Sequence, residues 1–220
     1  MADNAALLPP EPAIESDSLE KIVDRLATQG WAVTPHFVSG DVTEGLERNI
    51  AELESCNRLQ PAAVGRGAGK VIEPSIRGDR IFWLDESATS AAQQEYLARM
   101  ERLRTLINQS LFLGLNEFEC HFAAYPPGAF YSRHIDQHAN QDTRVVSAIL
   151  YLNTGWMPQD AGELRIYVDD DDSYFDVPPV AGTLVTFLSD RFYHEVLPAG
   201  RTRHSITGWF RRRTLSPVVQ

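Results

Sequence analysis

Near residue 117 the hydrophobic period of the chain changes from that of a helix to that of a strand, and it does not change back. Phe118, Cys120, Phe122 and Ala124 alternate with Glu117, Glu119 and His121, so this segment has one apolar and one polar face. Runs at 143–152, 162–168, 183–188 and 203–210 are rich in β-branched and aromatic residues and are separated by turn residues. Short strands with no helix between them cannot build a βαβ sheet. They predict an antiparallel sandwich or barrel. Upstream the period is helical: Leu19, Ile22, Val23 and Leu26 mark one face before Gly30, with Asp17 and Glu20 as a capping box. Leu46, Ile50 and Leu53 form a stripe over 42–55, and Tyr96, Met100, Leu103, Ile107 and Leu111 another over 89–113. Trp31 to Thr34 reads as a short strand. The expected class is α+β, a jelly-roll β-sandwich supported by N-terminal helices.

A length of 220 residues fits one domain. Residues 1–15 read as a loose tail and 16–220 as the domain, with helical support over 16–116 and a β core over 117–213. Between the second and third helices, 57–79 carries Gly65, Gly67, Gly69 and Gly78, which deny it regular structure. It also concentrates Arg58, Arg66, Lys70 and Arg77, so it is expected to be a lid or a binding loop. A formal charge of −10 excludes a general binder of nucleic acid or anionic membranes. Cys56 and Cys120 make no framework and are expected as reduced thiols. No signal peptide and no long apolar run is visible, so a soluble, cytoplasmic chain is expected. The acids Asp169 to Asp172 read as a solvated turn, and Arg211 to Arg213 as the polar end of the last strand.

The segment YPPGAFYSRHIDQH contains His134-x-Asp136. On a strand, residues two apart share a face, so an imidazole and a carboxylate stand side by side and can hold one metal ion. His194 follows the apolar strand 183–188 and supplies the third ligand. Two His and one carboxylate with open positions are the signature of iron(II) oxygenases. The turn LPAG at 197–200 predicts a hairpin in which His194 and Arg203 face each other across the ladder. A guanidinium there suits capture of a carboxylate on a metal-bound co-substrate, for which 2-oxoglutarate fits. A rival reading places His134 and His138 on a helix as zinc ligands, but Pro126, Pro127 and Gly128 upstream argue for a strand.

At these residues the chain resembles a known family. RGDRIFWLDE, YPPGAFYSRHID, RVVSAILYLN, GELRIYV and HEVLPAGRTRHSITGWF occur in the order found in the 2-oxoglutarate-dependent prolyl 4-hydroxylases, bacterial members and the hypoxia-inducible-factor type included. The resemblance runs from about Arg77 to Arg213 and implies a double-stranded β-helix, the cupin-like jelly roll. It implies His134, Asp136 and His194 as iron(II) ligands, with Arg203 on the distal carboxylate of 2-oxoglutarate and Tyr151 as its companion. Tyr125 is implied near the metal-binding end of the co-substrate, and Leu164, Thr207 and Trp209 in the pocket wall. Arg77 and Asp79 match a charged pair at the end of a substrate-covering lid, within which Arg66 and Lys70 would meet an acidic substrate segment. The implied reaction uses oxygen, with ascorbate as reductant, to hydroxylate a proline in a protein, releasing succinate and carbon dioxide. Elongation factor Tu is the leading candidate substrate, and the resemblance also raises oxygen sensing. A hydroxylase of free proline and a non-catalytic metal-binding sensor remain alternatives. Two departures stand out: one residue fewer separates Tyr125 from His134 than in the animal enzymes, and His121 replaces an apolar residue.

Overall fold

Each amphipathic stretch upstream becomes a helix bounded by the caps its sequence offers. The computed structural model describes residues 19–64, 71–84, 90–137, 143–168 and 172–213. The first helix, α1 (Leu19–Thr28), buries Ile22, Val23 and Leu26; the Asp17 of its expected capping box lies outside the described residues. Ser39 caps α2 (Gly40–Ser55) by accepting a hydrogen bond from the Val42 N–H. A Ser90–Gln93 capping box starts α3 (Ala91–Leu111), which ends at Phe112 in the left-handed conformation, φ 55°. No helix among the described residues is long and apolar enough to cross a membrane. The tail 1–15 and the loop segment with Arg66 and Lys70 lie outside the described residues, as do His138 and Asp169 to Asp171.

The strands are β1 (Trp31–Thr34), β2 (Gln60–Pro61), β3 (Arg80–Trp83), β4 (Leu115–Tyr125), β5 (Tyr131–His134), β6 (Arg144–Tyr151), β7 (Leu164–Tyr167), β8 (Tyr174–Val177), β9 (Leu184–Leu188), β10 (His194–Val196) and β11 (Arg203–Arg212). They form two antiparallel sheets, of order β1-β9-β6-β11-β4-β3-β2 and β5-β10-β7-β8. Strand parity then decides what each residue does. On β4, Cys120, Phe122 and Ala124 pack with α1, α2 and α3, together with Val146, Ala148 and Leu150 of β6 and Ile206 and Phe210 of β11. Each large side chain so buried contributes about 1.5–3 kcal/mol. The opposite parity, with His121 and Tyr125 of β4, Tyr151 of β6 and Arg203 and Thr207 of β11, lines the space between the sheets. Gly208 is on the helix side because a Cβ there would meet Cys120 Cβ and Phe118 Cζ, each at 2.6 Å. Both cysteines are free, and burial pushes the Cys120 thiol up to about 12.

One expectation fails here. The sequence predicts β10 and β11 as a hairpin with His194 opposite Arg203. Instead His194 pairs with His134 and Ile166 in the four-stranded sheet, while Arg203 pairs with Tyr125 in the seven-stranded one. LPAG is an arch between sheets, held by Gly128 N–H donating to the Ala199 carbonyl and Gly200 N–H to that of Asp160, at 2.9 and 2.8 Å. Pro198 and Gly200 signal a reversal of direction. They do not say which sheet the next strand joins.

Candidate active site

Two sheets with unequal inner faces leave a cavity of about 940 Å³ between them, within the range of sites that enclose a small molecule. On the four-stranded wall, His134 ends β5 and His194 begins β10, and the register sets them opposite each other with ring centroids 4.2 Å apart. Asp136 is not on the strand, as the H-x-D spacing predicts, but in the bend just after it. Its carboxylate still reaches both rings, Oδ1 at 3.7 Å from His134 Nε2 and Oδ2 at 3.6 Å from His194 Nε2. Ligand atoms of all three residues lie within 4.8 Å of one another.

The surroundings fix the chemistry of these groups. His134 Nδ1 lies 2.8 Å from the Ser132 carbonyl and His194 Nδ1 3.1 Å from that of Phe192. A carbonyl only accepts, so each Nδ1 carries a proton and each Nε2 is the ring atom turned inward. Burial, then the neighbouring His134, pushes His194 down to about 4 against the pull of Asp136. Burial alone would raise Asp136, but His194, His134 and the Ser147 hydroxyl outweigh it and hold the carboxyl well below its usual range. Near neutral pH the set therefore offers a neutral imidazole at His194 and a carboxylate at Asp136, donors suited to a divalent cation of the iron class. The zinc-helix alternative falls because Tyr131–His134 is a strand.

The opposite wall carries a buried cation. Arg203 is 1% exposed, donates from Nε to the Gly162 carbonyl at 2.9 Å, and lies between the Tyr125 and Tyr151 rings, 5.2 and 5.0 Å from their centroids. Gly162 has φ +79° and no room for a side chain, since a Cβ would meet Ala199 Cβ at 2.7 Å. Arg203 Nη2 and Tyr151 Oη are buried without a hydrogen-bond partner among the described residues. Burial pushes Tyr151 up to about 12, so its phenol keeps its proton and can donate. A buried cation with unspent donors is costly until an anion arrives. The donors on both walls thus fit iron(II) plus a chelating dicarboxylate.

Of the remaining expected residues, Leu164, Thr207 and Trp209 line the same cavity. Arg77 and Asp79 form a bidentate pair at 2.7 and 2.6 Å. Arg77 also lies over Tyr131 at 4.3 Å, and Tyr131 stacks on His134 with centroids 3.7 Å apart, so Tyr131 links the end of the loop to the His134 ring. Sequence reasoning missed Ser147, whose hydroxyl donates to Asp136 Oδ2 at 2.6 Å and contacts Ser189 Oγ at 2.9 Å. Its signal was a lone hydroxyl on the inward parity of an apolar strand. Ser147→Ala is expected to weaken divalent-metal binding about 10–100-fold by freeing the carboxylate to rotate. Anaerobic titration of iron(II) checks this, and unchanged affinity would show that Ser147 does not hold the ligand.

The chain is similar to known proteins over most of its length. The 2OG-Fe(II) oxygenase superfamily matches residues 120–211. A prolyl-4-hydroxylase crystal structure from Pseudomonas putida is 50% identical with a TM-score of 0.81, and the match covers 90% of this chain and all of that one. A Trichoplax adhaerens prolyl hydroxylase, solved with a peptide fragment of a hypoxia-inducible-factor oxygen degradation domain, is 29% identical with a TM-score of 0.78 and 88% of each chain covered. Human prolyl hydroxylase EGLN3 is 28% identical over 203 residues, 90% of this chain and 84% of that protein. The Caenorhabditis elegans hypoxia-inducible-factor prolyl hydroxylase is 30% identical over 87% of this chain, which spans 28% of that protein's length.

Proposed function

Because the chain belongs to the 2OG-Fe(II) oxygenase superfamily, we propose that it hydroxylates a prolyl residue in a protein substrate. When bound, iron(II) with 2-oxoglutarate and oxygen supplies the oxidant that inserts one oxygen atom into a C–H bond, leaving succinate and carbon dioxide. His134, Asp136 and His194 would hold the iron, the two imidazoles with their Nδ1–H groups tied to backbone carbonyls so that their Nε2 atoms are oriented beforehand. Arg203 and the Tyr151 phenol take the distal carboxylate, Tyr125 stands beside them, and Leu164, Thr207 and Trp209 exclude water from the reacting centre. The observation that carries this reading is Arg203, a cation buried across the cavity from a metal-ligand triad and retaining an unspent N–H.

A protein substrate is supported by the rim. Ile76 and Trp83 line the cavity yet are 38% and 45% exposed, and Val71 and Ile72 nearby are 57% exposed. Clustered apolar exposure of this kind marks a surface that meets another chain. Free proline would leave it unused. Elongation factor Tu is the first substrate to try.

The test is to load the protein with iron(II) and 2-oxoglutarate without oxygen, then admit air with candidate proteins and ascorbate, and read products by mass spectrometry. One added oxygen on a proline, absent for Asp136→Ala, is the expected result. Hydroxylation of free proline alone would move the assignment to a small-molecule enzyme. A protein that consumes no 2-oxoglutarate even when uncoupled would be a metal-binding sensor.

A further inference from the structure

The inner faces of β4 and β11 run side by side along the whole cavity. Arg203 pairs with Tyr125 at one end, and Thr207 pairs with His121 four residues farther on, about 13 Å along the strands. The co-substrate is accounted for between Arg203 and the metal ligands. The His121 end is left for the molecule being oxidised. Nothing in the reading above gives His121 a task.

His121 is 2% exposed, lines the cavity, and meets Trp83 edge-on at 4.9 Å and Trp209 at 5.6 Å between ring centroids. Its Nδ1 lies 3.1 Å from the Phe122 carbonyl, which can only accept, so Nδ1 carries the proton. Burial pushes the imidazole down to about 4, against the pull of Asp79, so the ring is neutral at physiological pH and Nε2 is a lone pair. Among the described residues nothing donates to that Nε2. The charged groups at this end are committed to one another: Arg144 to Glu119 at 3.0 Å, and Arg211 to Glu119 at 2.8 Å and to Glu117 at 3.1 Å. In the aromatic wall beside them His121 Nε2 is a neutral acceptor on the cavity lining, next to two buried donors without a partner among the described residues, Trp209 Nε1 and Arg211 Nε. A neutral acceptor on a cavity wall is complemented by a neutral N–H of the molecule that enters. A prolyl residue within a chain has no N–H of its own, so that donor must come from a neighbouring residue.

We propose that His121 is a specificity-determining residue whose Nε2 accepts a hydrogen bond from a backbone N–H of the substrate chain beside the target proline. This rests on the prolyl-peptide reading above and extends it to one named contact.

The experiment uses the full chain and a synthetic peptide spanning the hydroxylated proline, with a series of the same peptide N-methylated at one amide at a time. His121→Leu is expected to raise KM for the parent peptide about tenfold, with the effect on kcat smaller. His121→Gln, which keeps an acceptor, is expected to recover part of the loss. One N-methyl peptide should raise KM for the unaltered protein by a similar factor yet add nothing to the His121→Leu loss. Additive losses, or a KM insensitive to His121→Leu, overturn the proposal. If His121→Leu does not fold, as judged by circular dichroism, the N-methyl series on the unaltered protein decides: no single methylation raising KM overturns it. If the unaltered protein puts oxygen on no peptide while consuming 2-oxoglutarate, the prolyl-peptide reading itself has failed, a result distinct from hydroxylation that ignores His121.

Discussion

Asp136→Ala is expected to abolish hydroxylation and to weaken anaerobic iron(II) binding by about two to three and a half orders of magnitude. That range follows from the about 3–5 kcal/mol lost when one member of a buried charge cluster is removed, with tenfold in affinity for every 1.4 kcal/mol. The carboxylate is the only anion of the triad, and both imidazoles turn their Nε2 atoms toward it at 3.6 and 3.7 Å. With it gone, the two rings face each other 4.2 Å apart with nothing to balance a dication. Calorimetric titration of iron(II) without oxygen measures the loss, and a melting curve verifies that the protein is folded. An Asp136→Ala protein that binds iron as well as the original would remove the triad from consideration.

Arg203→Leu is expected to raise KM for 2-oxoglutarate by about 30- to 3,000-fold, corresponding to the about 2–5 kcal/mol carried by a buried, hydrogen-bonded charge pair. Arg203→Lys should lose less, because it keeps the charge while giving up the planar fork and the Nε–H bond to the Gly162 carbonyl. Iron(II) titration in the absence of co-substrate should be unaltered in both, since the guanidinium stands on the other sheet from the metal ligands. An Arg203→Leu protein with an ordinary KM for 2-oxoglutarate would show that the distal carboxylate binds elsewhere.

Periodicity carried the fold a long way. Leu46, Ile50, Tyr96, Met100, Leu103 and Ile107 all sit at the buried helical positions their spacing implies, because a helix on a sheet buries one stripe. The short strands β2, β3 and β8 escaped notice, being two to four residues long. A window that small holds too few residues to show a period. Sheet membership was not legible either: Pro198 and Gly200 fit a hairpin and an arch equally well. His194 and Arg203 still reached one cavity because residues facing each other across a sandwich meet as surely as residues across a ladder. Ser147 and His121 were hard to see for another reason. On β6 and β4 the parity that looks most like a core faces the helices, and the functional parity is mixed, with Ser147, Ile149 and Tyr151 on one strand and Glu119, His121 and Tyr125 on the other.

The division of the site between two sheets has a mechanical meaning. His134 and His194 belong to one leaf and Arg203, with Tyr151, to the other, so on the proposed function a dicarboxylate reaching from cation to guanidinium would be a removable tie-rod across the jaws of a clamp. Occupancy by one small molecule would then govern the spacing of two whole sheets, a lever far larger than the ligand itself.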